Sequence, residues 1–341
     1  MDALQEIRRP IEADLERYGA MFRAALEHDN PLLHVALNHL GQRRGKQMRP
    51  MMVLLSARYL LQAHSGVVSE TELPESVMHA AVALELLHTA SLVHDDVVDE
   101  SDRRRGQQSV NALMDNRVAV LVGDFLLSRA LHHAALTGST QVVERVAVLG
   151  QTLADGELLQ LSNTDSREFS EQTYYDVIKR KTASLFSACA YCGARLMADH
   201  MGCCSETMPV VETLERYAES VGVCFQMRDD IFDYDHSTDV GKPSGNDMKE
   251  GKLTLPVLHA LMGCDDEGYR QMALRVRAGE AGADDIDSLL RLTLESGGIE
   301  YAEQQMQQRC VEAQQMLTHN PQSPVTQALV RYASFVAQRS L

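Results

Sequence analysis

Apolar residues recur along this chain at the three-and-four spacing of helices, and helix-compatible stretches follow one another. The strongest stretch is Ser76–His94, SVMHAAVALELLHTASLVH, which predicts a buried helix. Residues 4–40 read as one or two amphipathic helices, with Asn30-Pro31 marking a break. Pro50 fits the first helical position of MMVLLSARYLL, where its missing N–H is not needed. His64–Pro74 reads as a loop, with Pro74 starting the long apolar helix. A further helix, FLLSRALHHAAL, is expected after Gly123-Asp124. Thr137–Thr140 then reads as a stop and restart, with Gly138 ending one helix and Ser139 or Thr140 capping the next. Asp265–Gly268 and Gly279–Asp285 look like turns between outer helices. No Pro-, Ser- or charge-rich linker interrupts this succession. The expectation is one all-α domain over residues 1–341, with the helices of residues 1–40 as packing or dimer surface.

Composition narrows the picture. Hydrophobic residues make up 45% of 341, enough for a sizeable core, but Trp is absent and aromatics are 5%, so Leu, Val, Ala and Met must fill it. The formal net charge of −16 disfavours nucleic acid as a partner, because its backbone needs Lys and Arg. It also repels anions at long range, so any phosphate site must be locally basic. Arg43–Arg49 and Arg103–Arg105 meet that demand. The seven cysteines include one C-x-x-C, Cys189 and Cys192, and the adjacent Cys203 and Cys204. They read as small buried residues in a reducing cytosol. No signal peptide and no run of about 18 uninterrupted apolar residues is seen, so a soluble cytoplasmic protein without stable membrane insertion is expected.

Two acidic clusters carry the chemistry. Asp95–Gly106 reads DDVVDESDRRRG, and Asp229–Asp233 reads DDIFD; both hold the pattern Asp-Asp-x-x-Asp. On a helix Asp95 and Asp99 share one face, where two anions repel by a few tenths of a kcal/mol. Local stability gives no reason for the pair, whereas Mg²⁺ does: it takes oxygen ligands and often sits between one or two carboxylates and a substrate phosphate. A solvated acidic patch is the rival reading, but the first cluster grows out of a buried helix. Basic or amide residues stand near each copy: Arg103, Arg104 and Arg105 by the first, Gln226 and Arg228 by the second. Upstream, Arg49 lies at a predicted helix N-terminus, which favours an anion, with Lys46 three residues back. A calcium loop starting at Asp233 is rejected, because its sixth and twelfth positions are Thr238 and Ser244 rather than Gly and Glu.

With these motifs the sequence resembles the trans-isoprenyl diphosphate synthases, most closely the long-chain polyprenyl (octaprenyl-type) enzymes of quinone side-chain synthesis. The resemblance runs from about Gly45 to the C-terminus. It implies an isoprenoid-synthase-type helical bundle around a deep central cleft and a likewise implied homodimer. It implies Mg²⁺ on Asp95, Asp99 and Asp229. Lys46, Arg49, His88 and Arg105 would take isopentenyl diphosphate. Arg104, Lys181, Lys242 and Lys252 would take the allylic diphosphate, farnesyl or similar. Thr182 and Gln226 would face the developing carbocation with uncharged dipoles. Asp155-Gly156-Glu157 and Gln160 would have a supporting role. Ala90 and Ser91, both small, stand where bulky residues stop chain growth in this family, so a long product is implied. The pocket floor stays open among residues such as Leu131, His133 and Ala134. The rival readings are a terpene cyclase or squalene-type synthase, which usually lacks the second acidic motif or the isopentenyl site, and a non-catalytic partner subunit, which typically loses acidic motifs.

Overall fold

The computed structural model describes residues 3–42, 45–65, 71–104, 106–163, 166–234, 245–319 and 321–339. Seventeen α-helices and one two-stranded hairpin are found among them. The chain divides into two compact units. The first comprises Met1–Gln151, Leu185–Ala218 and Met316–Arg331; the second comprises Thr152–Ser184, Glu219–Gln315 and Tyr332–Leu341.

The first unit opens with α1 (Ala3–Arg8), a 3-10 turn (Arg9–Ile11), α2 (Glu12–Ala25) and α3 (Pro31–Gly41). The break expected at Asn30-Pro31 is a helix start. Asn30 caps α3 by accepting from the Leu32 and Leu33 N–H groups at 3.0 and 3.3 Å, and Pro31 needs no acceptor at the first position. Helix α4 (Met48–Ser65) begins two residues earlier than expected, so Pro50 is its third residue rather than its first. The whole first turn lacks intrahelical acceptors for its N–H groups, which is why Pro is tolerated there. Met51–Leu55 in α4 are all fully buried.

Helix α5 (Glu75–Val98) is the long apolar helix, with Pro74 as its N-cap. A short hairpin follows, β1 (Arg103–Arg104) paired antiparallel to β2 (Gln107–Gln108), and then α6 (Val110–Leu113) and α7 (Asn116–Leu136). Gly123 and Asp124 lie inside α7 instead of preceding it. Gly123 serves packing rather than a break: a Cβ there would stand 2.2 Å from the His94 ring of α5. At the other end His79 of α5 meets His133 of α7, so the two helices run in opposite directions. By length and composition α5 and α7 are apolar enough to cross a membrane, although α5 is mostly buried inside the protein. Gly138, at φ +72°, ends α7 before α8 (Thr140–Ser162), as the stop-and-restart reading expects. Helix α10 (Ser184–Met201) crosses α4 at Gly193, where a Cβ would stand 2.1 Å from the Val53 carbonyl oxygen.

The second unit contains α9 (Glu171–Ile178), a π-helical turn (Lys179–Ala183) and the C-terminal part of α11 (Cys204–Phe232). After them come α12 (Asn246–Lys249), α13 (Leu255–Met262), α14 (Glu267–Arg277), α15 (Ala283–Glu295) and α16 (Gly298–Gln315). Helix α17 (Pro324–Gln338) ends in this unit. One apolar cluster joins α13, α14 and α15 through Val257, Leu261, Val276, Leu289 and Leu290. The expected turn at Asp265–Gly268 contains a cap, with the Asp266 carboxylate accepting from the Gly268 N–H at 2.7 Å.

Candidate active site

In the first unit, the acidic motif stands at the C-terminal end of α5. Asp95 lies in its last turn and Asp99 is its C-cap. That end carries the negative pole of the helix macrodipole, so each anion there is disfavoured by roughly 0.3–1 kcal/mol when exposed. No basic residue lies in the last turn to offset it. The two carboxylates are one helical turn apart, and the Asp99 N–H donates to the Asp95 carbonyl at 2.8 Å. Asp95 is half-buried and Asp99 exposed. Asp96 turns the other way. It is only 2% exposed and holds Arg104 Nε at 2.5 Å. Arg104 sits on the hairpin, so β1 and Asp96 together fix the guanidinium close to the motif.

The remaining first-unit candidates line α4 and α5. Lys46 is exposed, and Arg49 is half-buried in the first turn of α4 with its guanidinium over the Phe186 ring, 5.3 Å from the centroid. His88 is half-buried, two turns before Asp95. Ala90 is buried, and the half-buried Ser91 donates its hydroxyl to the His88 carbonyl at 3.0 Å. Arg105 lies outside the described residues.

In the second unit, the other acidic motif repeats the arrangement. Asp229 and Asp230 fall in the last turn of α11, again at the negative pole and again without a basic residue in that turn. Asp229 is exposed and pairs with Arg339 at 2.5 Å; Arg339 also donates to the Phe225 carbonyl at 3.0 Å. Asp230 is 5% exposed and accepts from Tyr174 Oη at 2.6 Å and from Gln226 Nε2 at 2.8 Å. Burial pushes its carboxyl up to about 6, with those two hydrogen bonds acting in the opposite direction. Asp233 has a third job: its carboxylate accepts from the N–H groups of Asn246 and Asp247, both at 2.9 Å, and so starts α12. Burial, then the nearby Asp230 and Asp233 charges, raise Asp247 to about 8.

Lys181 and Thr182 lie on the π-helical turn, where the Ser184 N–H donates five residues back to the Lys179 carbonyl. Single π turns inside helices concentrate at functional sites. Lys181 Nζ contacts Glu157 at 2.5 Å and Gln160 Oε1 at 3.0 Å, and the neighbouring Arg180 pairs with Asp155. The Asp-Gly-Glu-x-x-Gln segment therefore holds the basic turn directly. Gly156 permits this, because a Cβ there would stand 2.8 Å from that of Arg180. Thr182 Oγ1 donates to Gln226 Oε1 at 2.8 Å, so two candidates from distant parts of the chain touch. Lys252 pairs with Glu250 at 2.6 Å. Lys242 lies outside the described residues.

Sequence reasoning missed the separate duties within each Asp-Asp pair, and it missed Tyr174. A signal existed: consecutive helical residues point about 100° apart, so both members of a pair cannot serve one target. The donor set suits a hard cation. In each unit solvent-reachable carboxylates, Asp95 and Asp99 in the first and Asp229 in the second, stand at a helix end that opposes negative charge, and each unit also holds arginine or lysine for phosphate. Among the described residues no three His, Cys, Asp or Glu side chains form a ready-made cage. Mg²⁺ needs none, since it takes one or two carboxylates and keeps the remaining positions for water and phosphate. Burial of Cys189 and Cys192 raises both thiols, the latter to about 12, which disfavours the thiolate form that binds zinc.

A family model described as "Polyprenyl synthetase" matches residues 30–293. The octaprenyl diphosphate synthase of Haemophilus influenzae is 34% identical over 342 residues, covering 99% of this chain and 98% of its own. Among solved structures, a geranylgeranyl pyrophosphate synthase from Bacteroides thetaiotaomicron superposes with a TM-score of 0.82 at 41% identity, covering 99% of this chain and 100% of its own. A Caulobacter crescentus polyprenyl synthase, solved with calcium and isoprenyl diphosphate, gives a TM-score of 0.84 at 29% identity, with 98% of each chain covered.

Proposed function

We propose a residue-level account of catalysis for this chain, which belongs to the polyprenyl synthetase family. It is a prenyltransferase, a trans-polyprenyl diphosphate synthase of helical isoprenoid-synthase fold. Its substrates are isoprenyl diphosphates: isopentenyl diphosphate and an allylic partner such as farnesyl diphosphate. Asp95, Asp99 and Asp229 are the metal-holding carboxylates. The observation that carries this is the acidic end of α5: two carboxylates one turn apart stand at the pole that repels them, with nothing basic in that turn. The relative solved with calcium is consistent with an oxygen-liganded divalent ion. When bound, Mg²⁺ neutralises the departing diphosphate.

The chain's own residues do the rest. Arg104, Lys181, Lys242 and Lys252 bind the allylic diphosphate and take up negative charge as its carbon–oxygen bond breaks. Arginine suits the task because its planar fork pairs with two phosphate oxygens. Lys46, Arg49, His88 and Arg105 hold isopentenyl diphosphate so that its double bond meets the allylic carbon. Thr182 and Gln226 offer oxygen dipoles to the developing cation without capturing it. The proton lost after bond formation has no evident side-chain base, and pyrophosphate takes it. Small residues at Ala90 and Ser91 let the tail lengthen over repeated cycles, giving a long all-trans product suited to quinone side chains. We further propose a cytoplasmic homodimer; the support for a second copy is the exposed leucines of α7, Leu121, Leu127, Leu131 and Leu136.

The test is extension of farnesyl diphosphate by labelled isopentenyl diphosphate with the purified chain and Mg²⁺. Extension is expected from the wild type, and Asp95→Ala should lower it at least 100-fold with a melting temperature unchanged or slightly raised. A wild-type protein that extends nothing alone would turn the reading toward a partner subunit. A cyclised product would turn it toward a terpene cyclase.

A further inference from the structure

Asp230 is buried and engaged by neighbouring side chains. Both its oxygens are occupied inside the second unit, one by the Tyr174 hydroxyl at 2.6 Å and one by the Gln226 amide nitrogen at 2.8 Å. Tyr174 is itself buried, in α9, eight residues before Thr182. The amide of Gln226 bridges Asp230 to Thr182, whose hydroxyl donates to Gln226 Oε1 at 2.8 Å. The bridge has a sense. An ionised carboxylate only accepts, so the amide must turn its NH₂ toward Asp230 and its oxygen toward Thr182. That amide oxygen, in turn, draws the Thr182 proton to itself. The lone pairs of the Thr182 oxygen are then left pointing away from Gln226. A hydroxyl whose proton is committed elsewhere presents only its negative end, which is what a developing cation requires.

We propose that Tyr174 and Asp230 are positioning residues, which fix the amide of Gln226 and through it turn the lone pairs of Thr182 toward the developing allylic cation. The inference rests on the prenyl-transfer reading given above. Tyr174 supplies the anchor that Gln226 cannot. Without its hydroxyl, one oxygen of a buried carboxylate loses its donor, and Asp230 can rotate to seek another. The order of the relay is Tyr174, Asp230, Gln226, Thr182, and each link is a hydrogen bond of normal length. Only the last two groups meet the substrate.

The experiment uses the full chain with Mg²⁺, farnesyl diphosphate and labelled isopentenyl diphosphate, and four proteins. Wild type comes first, since an inert wild type sinks the prenyl-transfer reading and this inference with it. Tyr174→Phe removes one oxygen and little volume; kcat should fall roughly 10- to 100-fold, less than loss of a direct donor costs, while KM for isopentenyl diphosphate stays within about twofold. Asp230→Asn should cost more, because one amide cannot accept from both partners: either its NH₂ faces that of Gln226 and that amide flips, or Tyr174 must turn from donor to acceptor. The double variant Gln226→Glu with Asp230→Asn restores a donor facing an acceptor and again lets residue 226 accept from Thr182. It should recover roughly tenfold or more of the kcat lost in Asp230→Asn alone. A purely structural role predicts no such recovery. An active wild type with Tyr174→Phe at full kcat overturns the proposal and leaves the prenyl-transfer reading standing. If Tyr174→Phe does not fold, the pair of Asp230 variants decides, and a double variant no faster than Asp230→Asn overturns it.

Discussion

His79 and His133 meet through their Nδ1 atoms at 3.0 Å, where α5 and α7 pack. A neutral pair can share one proton there, whereas two imidazolium rings cannot. Burial, followed by the neighbouring His79, His132 and Arg129, lowers His133 to about 4; burial also lowers His79, with Glu75 pulling back. The folded protein thus binds fewer protons than the unfolded chain as pH falls from the ordinary histidine value near 6.5 toward 4. The stability this pair contributes is present above pH 6.5 and is lost on acidification through that window. Thermal melts at pH 7 and pH 5 should show a smaller drop for His133→Gln than for wild type. An equal drop in both proteins would remove the pair from the account. The same scale shows what a sequence can and cannot disclose. The face shared by Asp95 and Asp99 follows from their spacing alone. The partners of Asp96 and Asp230 do not, because Arg104 reaches Asp96 through a hairpin and Tyr174 reaches Asp230 across 56 positions of chain.

Helices were legible wherever apolar spacing and a cap agreed. Asn30-Pro31 and Thr137–Thr140 mark real ends because Asn caps and Gly takes a positive φ. Gly123 misled for the opposite reason: its missing side chain admits the His94 ring, which is a tertiary fact. Gly193 makes the same point more strongly. Its partner is the Val53 carbonyl oxygen, a backbone atom that cannot swing aside. Gly193→Ala must push α10 off α4 and should cost at least ~1–3 kcal/mol, the range for overpacking, read as a lowered denaturant midpoint with unchanged m-value. On α5 the analogous change bears on product as well as stability, since Ala90 is buried. Ala90→Phe places a ring below the acidic turn, and chromatography of the extended products should show shorter chains. An unaltered distribution would mean that the tail takes another course.

At the scale of the whole molecule, charge is distributed with little slack. The net charge is −16, yet three of the candidate phosphate-binding cations are held by a carboxylate of their own unit: Arg104 by Asp96, Lys181 by Glu157, Lys252 by Glu250. Composition alone indicated that phosphate sites must be local; it could not indicate that these cations come already paired. The apolar balance is less complete. Leu121, Leu131 and Leu136 of α7 stay 65%, 41% and 49% exposed, more than scattered surface leucines require. Light scattering should give a mass near twice the 37.8 kDa of one chain, and Leu121→Glu combined with Leu131→Glu should shift it toward one. A monomeric wild type would rule out the second copy.

The π turn at Lys179–Ala183 has a consequence for how this stretch tolerates change. It stores one residue beyond what an α-helix uses per turn. Deleting one of the five lets the backbone relax into a regular α-helical turn with the flanking residues still on their original faces. Tyr174 would keep its side, whereas the widened turn that carries Lys181 and Thr182 would be gone. Side chains along α9 are therefore open to drift, but the extra residue of the turn is not. Loss of a single codon there does more harm than most exchanges of one amino acid for another.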